Sequence, residues 1–371
     1  MQDMEQVSPV LNLSSASTQT NMNASSHCDQ DQLDSSASLF FIVVYGLVFL
    51  VGLLLNGFTL KFYFCSAQQQ ASSSVTIYLK NLAAADFLIS LCLPIRISHF
   101  TSRSVTIFRV YCNFGASVFY LNMYASILFM GYIAANRYLK IVHPLGTHIL
   151  QTVRAAHIIS VLTWVVLLAM TTSYATVSVL TQGSLQSDAN TLTCDDLHSK
   201  QLSLFYKVIH IFSAAIFVVV LGSLVFFYYS TSRRLSEAQQ RQPASSSSKK
   251  LAKSRRNMLV LVSVFCVCFV PYHLVRLPYA FLKRKCLWGQ TFFYLKELTI
   301  MVSVFNVCLD PLIYFIFCKA FRAKLSLRRV FSTDPDPTLG KNTERRSSDW
   351  KMSSIVLNRK TSLSTMKPSM L

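Results

Sequence analysis

Charge is what this 371-residue sequence has least of: 14% of it is Asp, Glu, Lys or Arg, where an ordinary soluble domain carries roughly 25%. With 52% of the residues hydrophobic, a water-soluble fold is excluded as the general plan. Positive charge is missing from the start of the chain, since no Lys or Arg precedes Lys61. The first 38 residues also lack an apolar core, so no cleavable signal is expected and the first apolar stretch should act as its own insertion signal. Internal repeats are not visible, which weighs against a transporter built from inverted halves. HExxH, a nucleophile beside a base, and carboxylates at hydrolase spacing are missing too, and no enzymatic activity is expected.

What the chain does have is apolar length. A helix crossing the hydrocarbon needs about 20 mostly apolar residues. Seven stretches qualify: Leu39 to Leu60, Ile77 to Ile95, Asn113 to Asn136, Ala155 to Leu180, Val208 to Ser232, Asn257 to Val275 and Leu298 to Phe317. None alternates as a barrel strand does. Pro94, Pro271 and Pro311 interrupt three of them, which a bundle tolerates because neighbouring helices take up the freed carbonyls. The expected fold is an all-α membrane protein, a seven-helix transmembrane bundle over residues 39–317.

The net charge of +19 would suggest nucleic acid in a soluble protein, but its placement speaks for a membrane. Eight bases from Arg233 to Arg256 and twelve after Cys318 make two blocks beside spans. Such blocks are topogenic charge in contact with anionic lipid, and no nucleic-acid partner is expected. The first 38 residues hold five acids and the sequons Asn12-Leu-Ser and Asn23-Ala-Ser, which predicts an extracellular, disordered N-terminus glycosylated at Asn12 and Asn23. Glu237 to Ser254 and the tail 332–371 have a disordered, cytoplasmic composition. Phe317, Phe321 and Leu325 recur every four residues among basic side chains, predicting a short interfacial eighth helix over 318–331. The chain is thus expected at the plasma membrane, multi-pass, with its N-terminus outside.

Four of the ten cysteines, Cys28, Cys112, Cys194 and Cys286, fall in the expected outer segments. An oxidising exterior favours two bridges among them, and three connectivities are open. Asp86 and Asp310 are carboxylates near mid-membrane, each costing at least about 2.5 kcal/mol to insert, so each should face the bundle and serve a function. With Ser126 and Asn306 they can form an oxygen-lined site for Na⁺ or a proton; no other metal is expected. An interhelical hydrogen-bond staple is the plainer alternative.

Gly52-Leu-Leu-Leu-Asn56, Leu82-Ala-Ala-Ala-Asp86, Asn136-Arg137-Tyr138, Trp164, Phe265-Cys-Val-Cys268-Phe269-Val-Pro271 and Asp310-Pro311-Leu-Ile-Tyr314, each on its own span, resemble the rhodopsin-like G-protein-coupled receptors. Phe119-Tyr120-Leu-Asn-Met-Tyr124, Phe269-Val-Pro-Tyr-His273-Leu-Val-Arg276-Leu-Pro-Tyr279 and Lys296-Glu297 look like the purinergic branch, whose members answer ADP or UDP-sugars. Two positions depart from the pattern. Asn136 stands where an acid usually precedes the arginine, and Val220 stands near the usual proline of the fifth span.

The resemblance implies a receptor that couples an outer ligand to a heterotrimeric G protein of the inhibitory class. Arrestin and receptor kinases would act on the tail, at Arg345-Arg346-Ser347-Ser348 and at Thr361, Ser362, Ser364 and Thr365. It implies hinges at Pro271 and Pro311, a packing toggle at Phe269, and an inner switch of Asn136, Arg137, Tyr138, Tyr228 and Tyr314. The bridges we expect are Cys112 with Cys194 and Cys28 with Cys286.

Charge placement gives an independent reason for an anionic ligand. Arg96, Arg109, Lys200, Lys207, Arg276 and Lys296 lie at outer span ends, where the positive-inside tendency disfavours bases. His273, Arg276 and Tyr279 share one helix face at three-residue steps. The expected ligand set is Tyr120, Tyr124, Lys207, His210, His273, Arg276, Tyr279 and Lys296, with Arg276 and Lys296 holding a phosphate of a nucleotide. A lysophospholipid on the same fold is the second reading, and an ion-coupled transporter using Asp86 and Asp310 the reading from another class.

Overall fold

The structure is a computed structural model that describes residues 35–65, 73–102, 104–143, 148–181, 194, 199–242, 245–282 and 289–317. Two compact units divide the chain, residues 1–314 and 315–371; of the second only 315–317 are described, and they are helical. The expected interfacial helix, the tail, the sequons and the Cys28–Cys286 bridge lie outside the described residues.

Among the described residues, seven helices are long and apolar enough to cross a membrane: Ser36–Phe64, Ser74–Thr101, Val105–Val142, Val153–Thr181, Gln201–Arg241, Ser248–Tyr279 and Thr291–Phe317. They correspond one to one with the seven apolar stretches, and the described residues contain no strand. Each helix outruns its apolar stretch because intrahelical hydrogen bonds do not stop where hydrophobicity does. This corrects the expectation for Glu237 to Ser254, which is largely helical: the fifth span runs on to Arg241 and the helix of the sixth starts at Ser246. Glu237 pairs with Arg233 one turn back at 3.1 Å, and Ser245 Oγ accepts the Ser248 N–H at 3.1 Å as a cap.

The third span packs against the second, fourth, fifth and sixth and forms the centre of the bundle. Its Met123, Ile127, Phe129, Met130 and Ile133 are buried. Val220 of the fifth span packs on this helix: a Cβ at Gly131 would lie 3.1 Å from a Val220 methyl. Large apolar side chains such as Leu54, Val161 and Val219 are exposed, as a lipid-facing surface requires.

The seventh span breaks at Phe305, a turn between Gly289–Val304 and Asn306–Phe317. Pro311 has no N–H to give the Val307 carbonyl, and Asn56 Nδ2 of the first span donates to that oxygen instead, at 2.9 Å. Gly52 makes the approach feasible, since a Cβ there would run into the Val307 and Ser90 side chains. Gly52→Val is therefore expected to destabilise the bundle by about 1–3 kcal/mol through overpacking, read as a lower melting midpoint of the purified protein; an unchanged midpoint would show that the contact yields freely.

Candidate ligand and switch sites

At the end of the bundle near Cys112, Arg276 is held by side chains from three spans. Its Nε donates to His210 Nε2 at 3.2 Å, and a terminal nitrogen donates to the Tyr206 hydroxyl. The guanidinium also lies over the rings of Tyr120, Tyr206 and Tyr279 at 5.5–5.7 Å. His210 Nδ1 lies 2.9 Å from the Tyr206 carbonyl one turn back. That contact assigns the proton to Nδ1 and leaves Nε2 as the acceptor Arg276 needs. Of the expected ligand set, this cage contains Tyr120, His210, Arg276 and Tyr279. Lys207 follows Tyr206 on the fifth span and is partly buried.

Tyr124 and His273 sit beneath, bonded to each other at 3.0 Å. His273 Nδ1 donates to the Phe269 carbonyl at 2.8 Å, and its ring stacks on Phe217 at 3.7 Å. Phe217 stacks on Phe265, which meets Phe269 edge-on. Tyr272, 6.2 Å from the Tyr120 ring and edge-on to His273 at 4.9 Å, connects the cage to this buried column and so to Phe269.

Lys296 lies in a second cluster. Its Nζ is 3.0 Å from Glu297 Oε1 and over the rings of Tyr279 at 5.0 Å and Phe293 at 4.2 Å. The other oxygen of Glu297 accepts from Arg96 at 2.5 Å, and Arg96 also donates to the Tyr111 hydroxyl at 2.7 Å. Tyr279 thus lies against both Arg276 and Lys296. Sequence reading noted Arg96 and Glu297 but did not pair them, and it missed Tyr206 altogether. The only available signal for Tyr206 was its one-turn spacing from His210.

Cys112 and Cys194 are bridged, with Cα atoms 5.4 Å apart across 82 residues. Cys112 belongs to a π-helical turn, Tyr111–Gly115, and Cys194 packs against Phe108 and Tyr111 beside it.

At mid-bundle Asp86 is the hub. Its Oδ1 accepts from Ser126 at 3.1 Å and Asn306 at 3.4 Å, and its Oδ2 accepts from Tyr314 at 2.6 Å. Both Asp310 oxygens and the side-chain carbonyls of Asn306 and Asn122 are buried without a donor. Asn122, one turn before Ser126, was not foreseen. Every unsatisfied atom of this cluster is an oxygen acceptor, the donor set of a small hard cation or of an added proton. The residues present therefore fit either of the two occupants left open by the sequence, a sodium ion or a proton.

At the opposite end, Asn136 Nδ2 donates to Ser74 Oγ of the second span at 2.8 Å, while its side-chain carbonyl is buried without a donor. Arg137 and Tyr228 are partly buried. Tyr138 stacks on Phe227 at 4.9 Å. The expected inner switch is thus divided, because Tyr314 is bonded to Asp86. Trp164 Nε1 donates to Asn81 at 2.9 Å, fastening the fourth span to the second.

The model of the seven-transmembrane receptor (rhodopsin family) matches residues 56–314. The chain belongs to that family. It is a multi-pass membrane receptor and not an enzyme. Among its relatives, purinoceptor 14 of Bos taurus is 35% identical over 76% of this chain and 83% of its own. G-protein coupled receptor 87 of Mus musculus is 31% identical over 90% and 92%, and lysophosphatidic acid receptor 6 of Gallus gallus is 28% identical over 78% and 93%.

Proposed function

We propose that this rhodopsin-family receptor binds an extracellular phosphate-bearing ligand, first of all a nucleotide, at the Cys112 end of the bundle and activates a heterotrimeric G protein at the other. The observation that carries the reading is the Arg276 cage. A guanidinium oriented by Tyr206 and His210 and faced by three rings offers a phosphate charge-assisted hydrogen bonds, and a base or acyl chain flat surfaces to lie on. Lys296 adds a point charge at the Tyr279 ring that Arg276 also contacts. The Phe217 column carries a shift at the cage down to Phe269 and the Pro271 region. Similarity to the purinoceptors favours a nucleotide, and the motif resemblance to the purinergic branch implies an inhibitory G protein; similarity to the lysophosphatidic acid receptor supports a lysophospholipid as the second reading. In this orientation the N-terminus is outside and the receptor is at the plasma membrane.

The test is nucleotide exchange on purified inhibitory G protein, in membranes carrying the chain, with ADP, UDP-glucose and lysophosphatidylserine. Stimulation by a nucleotide and not by the lipid supports the first reading, the reverse supports the second, and silence to all three counts against both. Sodium at the Asp86 cluster would stabilise the inactive bundle, so added sodium should weaken agonist binding.

Asn136 keeps a neutral tie to Ser74 where related receptors place an acid. We expect raised basal signalling, and Asn136→Asp is expected to lower it. A change of 1.4 kcal/mol is about tenfold in a two-state population. The check is agonist-free exchange at matched surface expression, where unchanged or higher activity would place the restraint elsewhere.

The basic tail with its Ser and Thr clusters is proposed to recruit arrestin once kinases add about −1.5 to −2 charge per site. Truncation after Ser332 should abolish desensitisation and internalisation, and unaltered internalisation would mark the tail as inert.

A further inference from the structure

The Arg96, Glu297 and Lys296 cluster joins the second span to the seventh. We infer that Arg96 is a positioning residue for the anion site: it never touches ligand, but by occupying one oxygen of Glu297 it keeps that carboxylate from cancelling the charge of Lys296. The inference rests on the reading above, in which Lys296 meets the anionic head.

Arg96 is walled off. Its side chain is 5% exposed, and its guanidinium lies 5.1–5.9 Å from the ring centres of Tyr45, Phe100, Tyr111 and Phe119. Its terminal nitrogens serve Tyr111 and Glu297, and its Nε is buried without an acceptor. A ligand reaching it would have to break into contacts from three spans. Such a guanidinium is costly to bury, and the nearby carboxylate offsets that cost.

Glu297 is as closely held, 8% exposed, with Oε2 on Arg96 and Oε1 on Lys296. The charges decide its effect. Arg96 and Lys296 against Glu297 leave one positive charge, whereas Lys296 against Glu297 alone leaves none. Lys296 is the member of the three that borders the cage, over the Tyr279 ring that Arg276 also faces. With Arg96 in place, the residual charge stands where a phosphate can use it, and Glu297 fixes the flexible Lys296 side chain against Tyr279 and Phe293. A mere staple between the second and seventh spans would use the same contacts, but the two roles differ in what removing Glu297 does.

The test uses purified full-length receptor with inorganic pyrophosphate as the bare anionic head, half-saturation being read from the rise in melting midpoint. Lys296→Gln, which loses one charge-assisted contact, and Arg96→Gln, which leaves Glu297 to neutralise Lys296, are each expected to weaken binding about tenfold. Glu297→Gln should tighten it severalfold, and Arg96→Gln with Glu297→Gln should return it to within about threefold of wild type. A double variant no better than Arg96→Gln alone would overturn the inference and make the pair a staple. Should Arg96→Gln fail to fold, Glu297→Gln alone decides, since binding unchanged or weakened overturns the proposal and tightened binding supports it. Pyrophosphate that fails to stabilise wild type, or that binds Lys296→Gln as well as wild type, overturns the anion-site reading itself and the inference with it.

Discussion

Arg276→Ala is expected to raise the agonist concentration for half-maximal response by about 10- to 150-fold, the equivalent of 1.5–3 kcal/mol for a lost hydrogen bond to a charged group. The reason lies in how the side chain is held. Nε is directed to His210 and a terminal nitrogen to Tyr206, so the planar fork is oriented before any ligand arrives and little rotamer freedom is lost on binding. Lysine keeps the charge but cannot donate in both directions from a planar group, so Arg276→Lys should recover only part of the loss. Tyr206→Phe leaves the charge and ring in place and removes one tether, and a smaller potency loss is expected. The measurement is a concentration–response curve at surface expression matched to wild type, using whichever of ADP, UDP-glucose or lysophosphatidylserine stimulates exchange. Wild-type potency in Arg276→Ala would move the anion site elsewhere.

Losing the Cys112–Cys194 bridge should cost more. Closing a loop of 82 residues corresponds to about 4–5 kcal/mol in the chain-entropy account. The fourth span lies within that loop, however, and its insertion in the membrane already restricts the reduced chain, so about 2–4 kcal/mol is expected. Cys112→Ser and Cys194→Ser should each lower the melting midpoint, reduce surface delivery and weaken the ligand response, because Cys194 is packed beside Phe108 and Tyr111, and Tyr111 holds Arg96. Mass spectrometry of non-reduced peptides gives the direct check, and finding either cysteine alkylated as a free thiol would defeat the scheme. For the proposed Cys28–Cys286 bridge, removal should weaken response more than surface delivery.

Seven spans were legible in the sequence because lipid imposes a one-dimensional rule: a length of apolar residues with every backbone group bonded within the helix. Asp86 and Asp310 were legible for the same reason, since an acid in hydrocarbon must turn inward. The helical run through residues 246–254 was not, because polar composition reads as disorder when the membrane helix that nucleates it is out of view. Arg276 could be picked out as an anion binder from its place on one face with His273 and Tyr279. Its tethers could not, since Tyr206 and His210 reach it from another span.

By itself, then, the sequence determined the class: composition and apolar length require a helical membrane bundle, and ordered motifs on seven spans place it in one receptor family. Only tertiary structure decided the partners. It paired Arg96 with Glu297 across 201 residues, set Tyr314 on Asp86 across 228, and gave the Val307 carbonyl to Asn56 across 251. Hydrophobicity and helix periodicity are local properties of the chain and can be read along it. Charge pairing and hydrogen bonding are short-ranged in space and indifferent to separation along the chain, so they appear only once the helices are packed.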